Sequence, residues 1–357
     1  MKFPKNANLW VPAYLRDRAR NLVPRPPAKR LWVAITDHYE PFGGGVSAQV
    51  AEARVSEWQK RWPSIAAGAP LDAAGRPPCY TFFYPQEDYD FCTIEALAEM
   101  SRTGTTDVEV HIHHDNETAA GFTEKMSTFC SRLHNDHGLL HHHNGQLVFG
   151  FIHGNWALDN SLPGGRKCGV TGEIQLLRDL GCYADFTMPS FPSASQSRII
   201  NKIYWTTGDP SKPRSFDQGV EATVGGGVQG QLLMITGPTG LHYKERLMPW
   251  LEAGEIAIHA APIKYRVKRW LDLAPRLGDD IFLKLFAHGA REDNAEILLG
   301  TDSKPGTLGP MFQWIHEAAQ QHNLELHWTS AFDMFKAVDN LIQPATNGAT
   351  APAQAGR

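Results

Sequence analysis

Short apolar strands alternate with amphipathic helices along most of the chain, and this alternation limits the possible folds more than any other feature. Strands are predicted over residues 31–36, 80–83, 107–112, 147–152, 184–188, 281–286 and 324–328, with one more over either 232–236 or 255–259. Helices are predicted over residues 48–62, 93–101, 119–137, 173–180, 263–273, 311–321 and 331–341. Such alternation is typical of a parallel sheet covered by helices on both faces. Seven or eight β/α units match the size of a (β/α) barrel.

Polar side chains follow these strands where each one ends. They are Asp37 and His38, then Glu87, His113, His153 and His288. In a (β/α) barrel the carboxyl ends of the strands converge on one face, where active sites lie. We therefore expect these residues to share one site. The run of three histidines at 141–143 is instead predicted to lie in a surface loop without function, and residues 189–230 are predicted to be mostly loop.

The densest group of metal-binding residue types lies at 107–118, DVEVHIHHDNET. His111 and His113 alternate on a strand and can share a face. A helix that begins near Asp115 would bring Glu117 close to His113. Neutral imidazole and carboxylate are ordinary ligands of zinc and related metals. The stretch predicts a metal site, and the alternative is a solvated strand end with incidental histidines.

Composition narrows the class of protein. The 357 residues are 42% hydrophobic and carry a net charge of −4, so nothing indicates a nucleic acid partner. The five cysteines are scattered and predict free thiols rather than disulfides. The N-terminus lacks a signal-peptide pattern, and no apolar run is long enough to span a membrane, so a cytoplasmic protein is predicted.

Three segments are predicted. Residues 1–29 form an arm with a basic helix over 9–22, which either docks on the domain or contacts an anionic membrane surface. Residues 30–343 form the β/α domain. Residues 344–357, rich in Ala, Pro and Gly, are predicted to be a disordered tail.

The residues after the strands suggest a hydrolytic chemistry. With Asp37, His38, His113 and Glu117 around a metal, a bound water would become a nucleophile and a carbonyl would be polarised. Asp37 would then act as general base and His288 as general acid. This arrangement suits hydrolysis of an amide or an ester.

A segment that could bind the substrate follows the fourth predicted strand. His153, Asn155 and Trp156 lie in FIHGNW, where a glycine next to an aromatic residue suggests close backbone approach and stacking on a sugar ring. The alternative for His153 is a packed core histidine.

These motifs together resemble the polysaccharide deacetylase family with the NodB homology domain. The strand LWVAI followed by TDH is similar to the first motif of the family, EVHIH to the second, and an apolar strand ending at Leu285 and His288 to the fifth. The segment 176–190 is similar to the helix-Gly-strand step that follows the third motif. The resemblance covers residues 30–340. It departs from the family where His38 replaces an aspartate and where the arginine of the third motif is absent.

The resemblance implies an α/β fold, a distorted (β/α)7-8 barrel of the NodB type. It implies Asp37 as the base, His288 as the acid, and His38, His113 and Glu117 as ligands of a divalent metal. Zn²⁺ is the first expectation for that metal, with Ni²⁺, Co²⁺ or Fe²⁺ as alternatives. The implied reaction removes an N-acetyl group from an amino sugar in an oligosaccharide or polysaccharide.

Two other functions stay open on the sequence alone. The segment DHYEPF (37–42) is similar to the opening of some glycoside hydrolase families, whose chemistry needs two carboxyl groups and no metal. Glu87, Asp159 and Asp185 are the carboxyl candidates. The other alternative is a carbohydrate-binding barrel without catalysis. The sequence does not identify the sugar, the acyl group, the metal or the oligomeric state.

Overall fold

The computed structural model describes residues 4–20, 22–24, 26–244 and 248–344. Its strands are β1 (Arg30–His38), β2 (Tyr80–Pro85), β3 (Thr106–Ile112), β4 (His141–His143), β5 (Gln146–His153), β6 (Cys182–Asp185), β7 (Ile203–Thr206), β8 (Gly219–Glu221), β9 (Leu233–Ile235), β10 (Gly240–Lys244), β11 (Met248–Glu252), β12 (Glu255–Ile256), β13 (Arg276–Leu277), β14 (Asp280–Ala287) and β15 (Glu325–Trp328). Its α-helices are α1 (Ala7–Arg20), α2 (Ala48–Gly68), α3 (Phe91–Ser101), α4 (Ala119–His137), α5 (Glu173–Asp179), α6 (Lys264–Leu273), α7 (Glu292–Leu299), α8 (Leu308–Gln321) and α9 (Ala331–Ile342). Short 3₁₀ turns cover Pro4–Asn6, Gln86–Asp88, Pro163–Gly165 and Ser215–Asp217.

One large sheet organises the domain. Its strands run in the order β12-β14-β1-β2-β3-β5-β6-β9-β7-β8, and the neighbours from β12 to β9 pair in parallel. Strand β15 also pairs in parallel with the first half of β1, while β4, β7, β8 and β13 add antiparallel pairs. Strands β10 and β11 form a separate hairpin.

The central strands are apolar because helices cover them. Every residue of β2 and β3 is buried, as a parallel sheet with two covered faces requires. The largest hydrophobic cluster packs α2 on β2, with Trp58 and Trp62 against Tyr80 and Phe82.

The fold class is therefore confirmed only in its coarse form, a mixed α/β protein with a large, mainly parallel sheet. The pairing among the described strands runs as an open order from β12 to β8, so the closed (β/α)7-8 barrel is not shown. The strand predictions at 31–36, 80–83, 107–112, 147–152 and 281–286 are confirmed, and both alternatives for the sixth strand are present.

One local prediction is wrong. The histidines at 141–143 form β4, which pairs with β5 across a turn at Asn144 and Gly145. The segment 189–230 is mostly loop, as predicted, but it also contains β7 and β8, and α7 was not predicted. The short lengths of β7 and β8, three or four residues each, explain why periodicity does not reveal them.

The basic N-terminal helix docks on the domain. Trp10 packs on Phe191 with 5.2 Å between ring centres, and Arg269 donates a hydrogen bond to the hydroxyl of Tyr14 at 2.9 Å. The predicted tail at 344–357 lies outside the described residues except for Pro344. Within the described part of the chain, no helix combines the length and the apolarity needed to cross a membrane.

Candidate functional site

Strands β1, β2, β3 and β14 are neighbours in the sheet and end at the same edge, which we call the mouth. Its residues are His38, Glu40, Glu87, Asp88, His111, His113, Trp156 and His288. The imidazole rings form a chain in which His38 lies 4.8 Å from His288 and 5.0 Å from His111, centre to centre. His111 lies 4.7 Å from His113. Of the residues predicted to share one site, His38, Glu87, His113 and His288 lie in the mouth, whereas Asp37 and His153 do not.

Glu40 reaches the mouth because the chain turns directly after β1. Arg54 of α2 holds this turn by donating hydrogen bonds to the carbonyl oxygens of Pro41 and Gly43, each at 2.8 Å. Glu40 Oε1 then lies 3.4 Å from His111 Nε2 and 3.3 Å from His113 Nε2. A residue of the β1 turn thus contacts the histidines of β3.

His113 sits between two carboxylates. Its Nε2 faces Glu40, and its Nδ1 lies 2.5 Å from Glu87 Oε1. Burial opposes protonation of the ring, but the two carboxylates raise the pKa of His113 to about 10. Burial would likewise raise the pKa of Glu40, yet His111 and His113 hold that pKa far below its usual range. The group Glu40–His113–Glu87 therefore carries two negative charges and one positive charge at neutral pH.

The other mouth histidines are neutral. Burial lowers the pKa values of His38, His111 and His288. Among the described residues, no hydrogen-bond partner meets His38 Nδ1 or His111 Nδ1, and His111 Nε2 has only its 3.4 Å contact with Glu40. The two buried nitrogens without a partner indicate that a ligand or water satisfies them.

The ring of Trp156 lies against the rings of His38 and His288. Its ring centre lies 5.2 Å from that of His38 and 5.5 Å from that of His288. Its buried Nε1 has no hydrogen-bond partner among the described residues. The backbone of Trp156 has a φ of 52°, in the left-handed region that few large residues adopt. Such strain is typical of a residue held in place for a function.

Asp88 differs from the other carboxyl groups near the mouth. It ends the 3₁₀ turn after β2 and is only half-buried. Burial and the negative charge of Glu87 raise the pKa of Asp88 to about 6. Its carboxyl group makes no hydrogen bond within the described residues. Asp88 is thus free to exchange a proton near neutral pH.

Asp37, the predicted base, points toward the helix layer. Its two carboxylate oxygens accept the backbone N–H of Gly289 at 2.8 and 3.0 Å, and one of them also accepts the hydroxyl of Tyr80 at 2.8 Å. Burial raises the pKa of Asp37 to about 7. Through its contact with Gly289, Asp37 stabilises the turn that carries His288, the predicted acid. The catalytic roles of both residues stay predictions.

The three predicted metal ligands do not come together. His38 is close to Glu40 and His288, whereas His113 is close to Glu40 and His111. The carboxylate of Glu117 instead pairs with Lys125 and accepts the backbone N–H of Thr118. The residues of the mouth that could hold a divalent metal are therefore centred on Glu40. A metal there, zinc or another, stays a prediction.

The predicted substrate residues separate into two places. Trp156 lies in the mouth, while His153 lies behind it beside Glu173. Asn155 donates a hydrogen bond to the carbonyl oxygen of His114 at 3.1 Å and so holds the segment in place. Contact of these three residues with a sugar stays a prediction.

Of the alternative carboxyl candidates, only Glu87 lies in the mouth. Asp159 is buried and accepts hydrogen bonds from Ser215 and from the backbone of Gly172. Asp185 is buried and accepts hydrogen bonds from Thr187. Sequence reasoning missed Glu40 and Asp88. Each lies a few residues after a predicted strand, which is a signal that the sequence alone contains. Glu40 lies in DHYEPF, and Asp88 lies in PQED.

Comparison with known proteins finds similarity among solved structures but not among sequences. No family model and no curated protein match the chain. A glycoside hydrolase family 57 branching enzyme from the hyperthermophilic archaeon Thermococcus kodakaraensis is similar over 87% of this chain and 71% of its own, with 10% identity and a TM-score of 0.39.

The predicted membership of the polysaccharide deacetylase family is wrong. No family model supports it, and a solved structure to which the chain is similar is a glycoside hydrolase family 57 enzyme. The NodB-type deacetylation that the resemblance implied is therefore wrong as well. In the structure, the three ligands that the resemblance implied lie apart. His38 and His113 are in the mouth, whereas Glu117 pairs with Lys125.

Proposed function

We propose that the mouth cleaves or transfers a glycosidic bond of an oligosaccharide or polysaccharide, with Glu40 and Asp88 as the two reacting carboxyl groups. The observation that carries this proposal is the contrast between them. One carboxyl group is held ionised by histidines, and the other is unpaired with its pKa raised to about 6. Two carboxyl groups whose environments push their pKa values apart are the usual machinery of glycosidic bond cleavage.

Glu40 is suited to the negatively charged role. Its pKa is held low by contacts with His111 and His113, so it is ionised over the whole working pH range. The transition state of glycosidic bond cleavage carries positive charge on the sugar ring. Glu40, His113 and Glu87 together carry a net charge of −1, which would stabilise that positive charge. Glu40 therefore serves as nucleophile or as stabiliser of the charged sugar.

Asp88 is suited to the proton donor role. Its pKa of about 6 leaves part of the population protonated near neutral pH, as a general acid requires. Glu87 is less suitable because its carboxylate is tied to the ring and the backbone N–H of His113. His288 is less suitable because burial keeps its imidazole neutral.

Trp156 is suited to hold the sugar. Aromatic rings pack on the C–H faces of sugars, and the unpaired Nε1 of Trp156 offers a donor to a hydroxyl group. His38 Nδ1 and His111 Nδ1 also lack a hydrogen-bond partner among the described residues and could meet further hydroxyl groups. A saccharide is the ligand class that uses both kinds of contact.

The test compares variants on two substrate types. Glu40→Gln and Asp88→Asn are measured beside the exposed controls Glu99→Gln and Asp136→Asn, on a panel of oligosaccharides and dinitrophenyl glycosides. We expect Glu40→Gln to lose about 10²–10⁴-fold on both types. Asp88→Asn should lose as much on oligosaccharides but little on dinitrophenyl glycosides, whose leaving group needs no proton.

Two outcomes overturn the proposal. If the wild-type chain binds saccharides but cleaves none of the panel, the site is a carbohydrate-binding one without catalysis. If it cleaves substrates and both variants keep full activity, other residues carry the reaction. Circular dichroism and unfolding curves check that each variant is folded.

A further inference from the structure

A second cluster of ligand-type side chains lies behind the mouth. His114 follows β3, His153 ends β5, Cys168 lies in the segment 154–172, and Glu173 begins α5. All four residues are buried. One potential ligand atom from each lies within 4.8 Å of the others. The ligands of a tetrahedral zinc, at bond lengths of about 2.0–2.3 Å, lie about 3.5 Å apart, so a small contraction would close this set.

The two histidines present their Nε2 atoms to the centre of the cluster. The Nδ1 of His114 lies 3.0 Å from the carbonyl oxygen of Cys168, which fixes the ring, and its Nε2 lies 3.0 Å from Glu173 Oε1. The Nε2 of His153 is buried, lies 3.9 Å from the same oxygen and has no hydrogen-bond partner among the described residues.

The sulfur of Cys168 is surrounded by backbone donors. The N–H groups of Asn160 and Val170 both point to Sγ, each at 3.4 Å. In the metal-free chain Sγ also donates to the carbonyl oxygen of Val170 and to Glu173. The two N–H donors would stabilise the thiolate once a metal displaces the thiol proton. Glu173 is likewise held, since its Oε2 accepts the backbone N–H of Asp159 at 2.6 Å.

We propose that His114, His153, Cys168 and Glu173 form a buried structural zinc site. Metal binding would displace the protons of the thiol and of the imidazoles. The resulting thiolate, carboxylate and two neutral imidazoles would carry −2 together, which Zn²⁺ would bring to zero. Four protein ligands complete a tetrahedral shell, which is the pattern of structural rather than catalytic zinc.

The zinc site would hold the segment 154–172, which borders the mouth, in place. The ligands join the ends of two neighbouring strands to the segment 154–172, which also carries Trp156. Zinc would thus anchor that segment at both ends and hold the strained tryptophan in place. The zinc site does not rest on the reaction proposed for Glu40 and Asp88, although it would hold Trp156, the residue proposed to contact the sugar.

The experiment measures zinc in tag-free protein by mass spectrometry after dialysis against zinc and then buffer. The chain is compared with Cys168→Ala and His153→Ala, with Cys182→Ala as a buried cysteine control and His113→Ala as a mouth control. We expect near one zinc per chain in the wild type and in both controls, and none in the two ligand variants. Cobalt-substituted wild type should show a sulfur-to-cobalt charge-transfer band, which requires no variant to fold.

Other results would overturn the site. Wild-type protein without zinc and without the cobalt–thiolate band would mean that His114 and Glu173 are a metal-free hydrogen-bonded pair. Zinc that persists in Cys168→Ala, or that is lost only in His113→Ala, would place the ion elsewhere. None of these readouts uses catalytic activity, so failure of the zinc site is distinguishable from failure of the proposed function.

Discussion

The charge of His113 makes a quantitative prediction about stability. Its pKa is raised from the ordinary value of 6.5 to about 10 by Glu40 and Glu87. A raised pKa contributes stability that is fully present below pH 6.5 and is lost as the pH rises through about 10. At 1.36 kcal/mol per pH unit the upper limit is about 5 kcal/mol. Because nearly a third of the His113 side chain is exposed, screening by solvent reduces the expected value to about 2–3 kcal/mol.

The assay is urea unfolding of wild type and His113→Gln between pH 6 and 9.5. We expect the wild type to be more stable at pH 6, and the difference in unfolding free energy to shrink steadily as the pH rises. His141→Gln is the control, because Asp107 raises the pKa of His141 only to about 8. Its difference should stop changing above that pH. A difference for His113→Gln that does not depend on pH would refute the reasoning and would mean that His113 is neutral, as in a metal ligand.

Three further changes test the packing of the site. Trp156→Ala should weaken saccharide binding about tenfold, measured by calorimetry, because it removes the ring that lies over His38; unchanged affinity would exclude Trp156 from the sugar site. Gly154→Ala should destabilise the fold by about 1–3 kcal/mol in urea unfolding, because the new Cβ would lie 2.5 Å from the ring of His113; full stability would show that the ring has room to move. Asp37→Asn should gain stability relative to wild type as the pH rises from about 4 to about 7 and then level off, because burial raises the pKa of Asp37 from 3.8 to about 7 and the wild type must ionise a buried carboxyl group over that range; parallel stability curves would contradict that assignment.

The strands of the central sheet were predictable because each is a continuous apolar run that ends in polar residues. The same pattern correctly placed His38, His113 and His288 at one edge of the sheet. It failed for β4, where the Asn144-Gly145 turn was the available signal. Both residues have a positive φ, as a two-residue hairpin turn of this type requires.

The partners of each site residue were not predictable, because they depend on contacts between distant parts of the chain. Glu40 meets the histidines of β3 only because Arg54 holds the intervening turn. Cys168 meets His114 across more than fifty residues, and no cysteine pair or regular spacing marks it. Glu117 had the right spacing to reach His113 on a continuous helix, but α4 begins only at Ala119.

The family resemblance failed for a related reason. It was carried by short strand-end motifs, and the chemistry of a site depends on which side chains those ends bring together. Here the strand ends gather around Glu40, which the motifs did not include.

The most direct test of the central claim is the turnover of oligosaccharides and dinitrophenyl glycosides by wild type and Asp88→Asn. The account predicts that the wild type cleaves both types and that the variant keeps cleavage of the dinitrophenyl glycosides alone. Equal losses on both types, or no cleavage by the wild-type chain, would contradict the assignment of Asp88 and Glu40 to glycosidic bond cleavage.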